Sequence, residues 1–178
     1  MLEDKPLDIA IVKKRYDKFP GIFDECENTF VGKLYNELEW EGLLKSHLPE
    51  DRSAKILDAG GGTGRITLPL AKIGYKVTLC DLSSGMLDVA KEKLQKEGVL
   101  NRVTIVEADI ASLPFPDETF ALVLCLHGPL SIADSLKAAG ELTRVMKRGG
   151  EIIVDAHSRY WAAMHKLKIG RASCRERG

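Results

Sequence analysis

The stretch Lys55-Ile-Leu-Asp-Ala-Gly-Gly-Gly-Thr-Gly64 decides how the rest of the chain is read. The short apolar run from Lys55 to Ala59 has the composition of a strand buried on both faces. It passes straight into the glycines, and a helical pattern over 64–73 follows. Glycine permits a tight strand-to-helix turn and lets a ligand approach the backbone, whose N–H groups gather at the helix N-terminus. The spacing places glycine at 60, 62 and 64 after Asp58. A dinucleotide site of the G-x-G-x-x-G kind would need glycine where Arg65 stands.

Working outward, four more strands are predicted at Lys76–Asp81, Val103–Glu107, Ala121–Leu126 and Glu151–Asp155. Helices are predicted at Gly64–Ile73, Ser84–Glu97 and Ile132–Lys147, the second with Met86, Leu87, Ala90 and Leu94 on one face and Ser83 or Ser84 as N-cap. Strands alternating with helices specify an α/β fold, a doubly wound and mostly parallel sheet covered on both faces.

Ligands of such sheets bind at the carboxyl ends of the strands. Asp81 ends the second predicted strand, 17 residues beyond Gly64, where a carboxylate can accept hydrogen bonds from both hydroxyls of a ribose. Asp109 ends the third and could accept from the exocyclic amine of an adenine. Either aspartate alone reads equally as a helix cap or a loop residue; the two in order with the glycine loop make the stronger case.

The segments Ile56-Leu-Asp-Ala-Gly-Gly-Gly-Thr-Gly64, Asp81-Leu-Ser-Ser-Gly-Met-Leu-Asp-Val-Ala90, Ala108-Asp-Ile-Ala-Ser-Leu-Pro-Phe115 and Leu142-Thr-Arg-Val-Met-Lys-Arg-Gly-Gly150 together resemble class I S-adenosylmethionine-dependent methyltransferases, closest to the small-molecule, ubiquinone-biosynthesis-like group. The similarity spans roughly residues 54–157. It implies a Rossmann-like fold of the class I methyltransferase type, S-adenosyl-L-methionine as cofactor and a small-molecule methyl acceptor. It also implies the glycine loop at the methionine moiety, Asp81 on the ribose, Met86 near the adenine, and Asp109 with Ile110 around the adenine edge. The candidate cofactor set is Asp58, Gly60, Gly61, Gly62, Thr63, Gly64, Asp81, Leu82, Met86, Asp109, Ile110 and Leu126.

Methyl transfer from a sulfonium depends chiefly on alignment of acceptor and methyl group, so a catalytic acid or base need not exist. His127, after the fourth predicted strand, is the one candidate catalytic residue; it could deprotonate an acceptor or simply line the cofactor site. His157, Tyr160 and Trp161 could line the acceptor pocket or serve as packing at a helix entry. The Cys125-Leu-His-Gly-Pro129 run is not the Asn/Asp-Pro-Pro-Tyr motif of enzymes that methylate nucleic-acid amines. Two readings from other classes stay open, a non-catalytic adenosyl-binding or regulatory module and a nicotinamide-dependent dehydrogenase.

Residues 1–50 hold six of the eleven aromatics, among helical stretches interrupted at Pro20-Gly21. They are expected to form an N-terminal helical cap or a packing layer on the sheet edge, with 51–168 as the cofactor domain. Net charge is zero, and no nucleic-acid partner is expected. No apolar run approaches the ~20 residues of a membrane helix, the N-terminus lacks a signal-peptide pattern, and the cytoplasm is the expected compartment. The four cysteines show no C-x-x-C pair, no metal is expected, and Cys80 and Cys125 read as small core residues. Ile169-Gly-Arg-Ala-Ser-Cys-Arg-Glu-Arg177 resembles translated sequencing-adapter DNA, so 169–178 is expected to be a non-native tail. The sheet is accordingly expected to lack the last two strands of its fold, the chain being an inactive fragment of an active enzyme.

Overall fold

Along β1 (Lys55–Ala59) every residue after Lys55 is buried, Ile56 and Leu57 turning to opposite sides. Period-two side-chain alternation buries both faces only when layers cover the sheet above and below. The computed structural model, which describes residues 8–18, 20, 24–25 and 28–156, supplies both layers. β2 (Lys76–Asp81), β3 (Val103–Glu107), β4 (Phe120–Cys125) and β5 (Met146–Val154) join β1 in the order β3-β2-β1-β4-β5, every pairing parallel. Strand order reverses between β1 and β4, which makes the crevice beside the β1 and β4 ends the expected ligand position.

Six α-helices are described: α1 (Ile9–Lys18), α2 (Phe30–Glu39), α3 (Thr67–Lys72), α4 (Ser84–Lys96), α5 (Pro129–Ile132) and α6 (Ser135–Val145). One face of the sheet packs Leu57, Cys80, Val123 and Cys125 against Ala138, Leu142 and Val145 of α6. The other packs Ile56, Leu122 and Leu124 against Leu70 of α3, with Tyr75 and Leu44. Leu79 meets Leu87 and Ala90 of α4. Ser83 is the N-cap of α4, its side chain accepting from the N–H of Met86.

Four elements start elsewhere than the sequence predicts. β4 begins one residue early, at Phe120, which is 2% exposed and packs edge-on to Phe115. The helix predicted over 132–147 runs only over Ser135–Val145, preceded by the separate one-turn α5: Ala133 is extended, and the Asp134 side chain accepts from the N–H of Lys137 to start α6 afresh. β5 starts at Met146, five residues before the prediction, because Phe120 pairs with Met146 and the ladder resumes at Leu122 with Glu151. Lys147 to Gly150 loop out between, with Gly149 at φ +73°, so the Gly-Gly pair punctuates a strand instead of preceding it. α3 begins at Thr67, three residues later than predicted, after the left-handed Gly64 at φ +79° and a turn through Ile66. The expectations for His157, Tyr160, Trp161 and the tail 169–178 fall outside the described residues.

Candidate functional site

The glycine loop leaves β1 with three left-handed residues, Gly60 at φ +74°, Gly62 at +55° and Gly64 at +79°, the three positions of the sequence spacing. Only glycine takes that conformation without steric penalty. Gly61 is required for another reason: a Cβ there would lie 2.5 Å from the Asp58 carboxyl group and 2.6 Å from Leu79. The N–H groups of Gly60 and Gly61 donate to the Cys80 carbonyl at 2.7 and 3.2 Å, tying the loop to the end of β2.

Beneath the loop lies Asp58, 2% exposed, accepting from the Thr67 hydroxyl at 2.6 Å. Burial pushes its carboxyl up to about 6, against the opposing influence of that hydroxyl and of Arg65. Thr63 is also buried, and its hydroxyl donates at 2.7 Å to Asp24 of the N-terminal segment, where Lys93 makes an ion pair at 2.8 Å. Burial holds the Cys80 and Cys125 thiols up at about 12, as inert core groups.

Asp81 ends β2 beside the loop. One oxygen accepts from the N–H of Gly62 and the other from Ser83, each at 2.9 Å. Its carboxyl is raised by burial while those N–H groups pull it down. The backbone N–H of Leu82 also favours the charged form, and a carboxylate's roughly four acceptor positions leave room for a further donor. The Met86 methyl lies 3.3 Å from where a Gly62 Cβ would be. The N–H of Ala108 donates to the Asp81 carbonyl and brings Asp109 alongside; one Asp109 oxygen closes a turn onto Ala111. Ile110 and Leu126 are each 6% exposed and belong to the two core layers. The Leu82 carbonyl accepts from Lys13 at 3.1 Å.

On the other side of the loop stands His127, at φ +69°. Its Nε2 is 2.9 Å from Glu39 and also faces the Arg65 guanidinium, while Tyr35 meets the ring edge-on with centroids 5.8 Å apart. Arg65 pairs with Glu39 at 2.8 Å and bonds Asn36. α1 makes the corresponding contacts at the β2 and β3 ends: Asp17 accepts from the Ser83 hydroxyl at 2.6 Å and the Gly85 N–H at 3.2 Å, and Lys13 pairs with Glu107 at 2.8 Å. The strand ends and the start of α4 thus gather the candidate cofactor residues and His127, while His157, Tyr160 and Trp161 lie outside the described residues. Sequence reasoning missed Lys13, Asp17, Asp24, Asn36, Glu39 and Asp155. Arg65 had been noticed only as a residue that is not glycine, although a charge directly after a glycine loop was the signal available.

The group fits a nucleoside bearing a small polar tail. The glycine loop ends β1, a largely buried carboxylate bonded to it sits one strand over, and the apolar Met86 methyl lies against Gly62. Among the described residues no cluster of His, Cys, Asp or Glu could hold a metal ion, and no helix is long and apolar enough to cross a membrane.

Comparison with known proteins shows the family. The family described as "Methyltransferase domain" matches residues 56–150. The ubiquinone/menaquinone biosynthesis C-methyltransferase UbiE of Pectobacterium carotovorum is 35% identical over 106 residues, which cover 58% of this chain and 42% of that enzyme. The chain therefore spans about two fifths of the length of that relative. Among solved structures, the [4+2]-cyclase SpnF superposes with a TM-score of 0.73 at 21% identity, covering 83% of this chain and 59% of the other. A Methanococcus maripaludis protein described as an S-adenosyl-L-methionine-dependent methyltransferase gives 0.69 at 21%, covering 85% and 72%. At such identities the structural likeness carries the fold alone, and the cyclase illustrates that one fold hosts several reactions.

Proposed function

This chain belongs to the methyltransferase-domain family, and from that premise we propose that its strand-end site binds S-adenosyl-L-methionine for transfer of the methyl group to a small-molecule acceptor. The observation that carries the reading is Asp81, a largely buried carboxylate at the end of β2 that is hydrogen-bonded to the glycine loop itself, where it can meet a ribose. In this reading Asp81 takes the ribose, Gly60 to Gly64 receive the methionine portion, and Met86, Leu82, Asp109 and Ile110 enclose the adenine. Asp58 and Thr63 act from beneath, through Thr67 and Asp24, by fixing the loop. Leu126 closes the floor.

When bound, S-adenosylmethionine supplies an electrophilic methyl group on a sulfonium sulfur. The protein's part is to hold that carbon in line with the acceptor and to keep water away, which proximity and orientation accomplish without a strong acid or base. His127 faces the acceptor side, and its imidazole is the group we assign to take a proton from the acceptor. Helices α1 and α2 form the cap over this site, supported by the contacts of Asp17 with Ser83 and of Glu39 with His127 and Arg65.

The zero net charge favours a metabolite over a polyanionic acceptor. The Pectobacterium relative is by name a C-methyltransferase of quinone biosynthesis, so an aromatic ring carbon is the first acceptor atom to test. Two buried free thiols, Cys80 and Cys125, suit a reducing compartment and support the cytoplasm as the site of action.

The test is a calorimetric titration of the full chain with S-adenosylhomocysteine, with NAD as control and circular dichroism to verify folding. Selective binding of the adenosyl ligand is the expected result. A folded protein that binds neither, or prefers NAD, overturns the reading.

A further inference from the structure

Beyond β4 the backbone does something costly. His127 and Gly128 are both left-handed, at φ +69° and +96°. A side-chain-bearing residue seldom stays there unless its surroundings hold it. The holding group is Asp155, the residue directly after β5. One of its oxygens accepts from the N–H of His127 at 2.8 Å and the other from the N–H of Gly128 at 3.0 Å, while its own N–H donates to the Cys125 carbonyl at 3.2 Å. Since Cys125 pairs with Val154 in the β4/β5 ladder, Asp155 extends that ladder by one step and closes it on the turn. Two successive N–H groups converging on one carboxylate make a concave anion seat, filled here by the protein's own side chain.

The consequence is directional. With the turn held left-handed, the His127 ring points to α2, where Nε2 meets Glu39 at 2.9 Å and the ring edge meets Tyr35. An ordinary extended or helical residue at 127 would send the ring elsewhere.

We propose that Asp155 is a positioning residue that sets the direction of His127, and with it the acceptor side of the site, by clamping the His127-Gly128 backbone. The inference rests on the methyltransferase reading for the meaning of "acceptor side" but not for the clamp.

The test compares Asp155→Ala and Asp155→Asn with the unaltered chain by three measurements. The first is the imidazole proton resonances of His127, whose Tyr35-dependent shift is defined by a Tyr35→Leu control. The second is amide exchange at His127 and Gly128, with β1 amides as reference. The third is S-adenosylhomocysteine affinity. Asp155→Ala is expected to abolish the ring shift and raise exchange at 127 and 128 by tenfold or more, leaving β1 unchanged and affinity within threefold. Asp155→Asn, which keeps one acceptor oxygen, is expected to restore part of the shift; it carries the test should Asp155→Ala fail to fold. An unchanged His127 signal in either folded variant overturns the proposal. So does a loss of affinity and of β1 protection in parallel, which would make Asp155 a general prop. If the unaltered chain fails to bind S-adenosylhomocysteine, it is the methyltransferase reading that falls, while the resonance and exchange measurements still decide the clamp.

Discussion

The sheet and the N-terminal helices meet at the same site but are built from opposite forces. Every buried apolar residue described except Leu44 lies between Ile56 and Val145. Neither α1 nor α2 buries a single residue, and Phe30, Val31 and Leu38 of α2 are exposed by 82, 72 and 63%. What holds these helices is a set of charged contacts aimed at loop ends: Lys13 on Glu107, Asp17 on Ser83, Asp24 on Thr63 and Lys93, Glu39 on Arg65 and His127. A buried large apolar side chain contributes about 1.5–3 kcal/mol, whereas a solvated ion pair contributes about 0–1 kcal/mol. The sheet is therefore held chiefly by burial, whereas the helices lean on the loop ends through mostly half-exposed charges, with two exceptions at the end of α2: the Glu39–Arg65 pair is shielded, at 7 and 13% exposure, and the following turn anchors Leu44 in the core. Segments attached in this way belong to the low-stability end of a structure, as elements covering a binding site generally do.

The sharpest way to break that contrast is to truncate one aromatic in each region. Phe120→Ala removes a ring 2% exposed from between β4 and α6 and is expected to cost about 3–5 kcal/mol in urea unfolding. Phe30→Ala, at 82% exposure, is expected to stay within about 0.5 kcal/mol. Similar losses in the two variants would mean that α2 is packed in solution against something that burial in this chain does not reveal.

A second contrast concerns pH. Asp58 is an acid whose folded value, about 6, lies above its ordinary 3.8, so the folded state binds its proton more tightly than the unfolded state does. The contribution of this group to stability is greatest below about pH 4, declines as pH rises to about 6 and is flat beyond, by about 3 kcal/mol over the window. Asp58→Asn keeps an oxygen for the Thr67 hydroxyl and removes the titration. Subtracting its stability curve from that of the unaltered protein, by urea unfolding from pH 4 to 8, isolates the window. A flat difference would show that the carboxyl is hydrated rather than sealed under Gly61.

At the junction of the two regions, Asp81→Ala is expected to weaken S-adenosylhomocysteine binding by about 1–3 kcal/mol through lost charge-assisted hydrogen bonds. Asp17→Ala, which touches the same corner through Ser83, Gly85 and Lys13, is expected to cost less than Asp81→Ala in the same titration. The reverse order would move the centre of the site from the strand end to α1.

The same contrast governs what could be read from the amino acids. Three strands, Lys55–Ala59, Lys76–Asp81 and Val103–Glu107, coincide with the sequence expectation: the first two are largely buried runs with little choice of register, and the third, a half-buried edge strand, is bounded by Arg102 and Glu107. Glycines 60, 62 and 64 were legible because positive φ demands them. The broken helix at Ala133 was not, since its cause is one side-chain cap, at Asp134, inside an otherwise helical pattern. Nor were Glu39 and Asp155: their partners lie 88 and 28 residues away, and a lone carboxylate on a helix or after a strand has no periodicity to betray it. Chemistry carried by spacing was visible, while chemistry assembled by topology became visible only with the fold.

The smallest expected effect is also the most discriminating, because it sets the two regions at opposite signs. Asp17 is held below the usual carboxylate range, chiefly by the Ser83 hydroxyl and then by the Gly85 N–H and Lys13. An acid lowered in the folded state contributes stability that is complete above its unfolded value and lost as pH falls through the folded one. Acidification below about pH 4 should therefore loosen α1 over the range in which Asp58, already protonated, makes its full contribution to the sheet. Lys13→Ala should act in the same direction at neutral pH, since Lys13 pairs with both Asp17 and Glu107 at about one-third exposure. Its cost in global unfolding should stay below about 1 kcal/mol. Hydrogen exchange read helix by helix separates the cases: amides of α1 should exchange faster in Lys13→Ala, or in the unaltered chain near pH 3, while those of β1 and β4 hold. If α1 and β1 lost protection together, the N-terminal helices would be part of the same cooperative unit as the sheet, and the division between a region held by burial and one held by charge would not describe this protein.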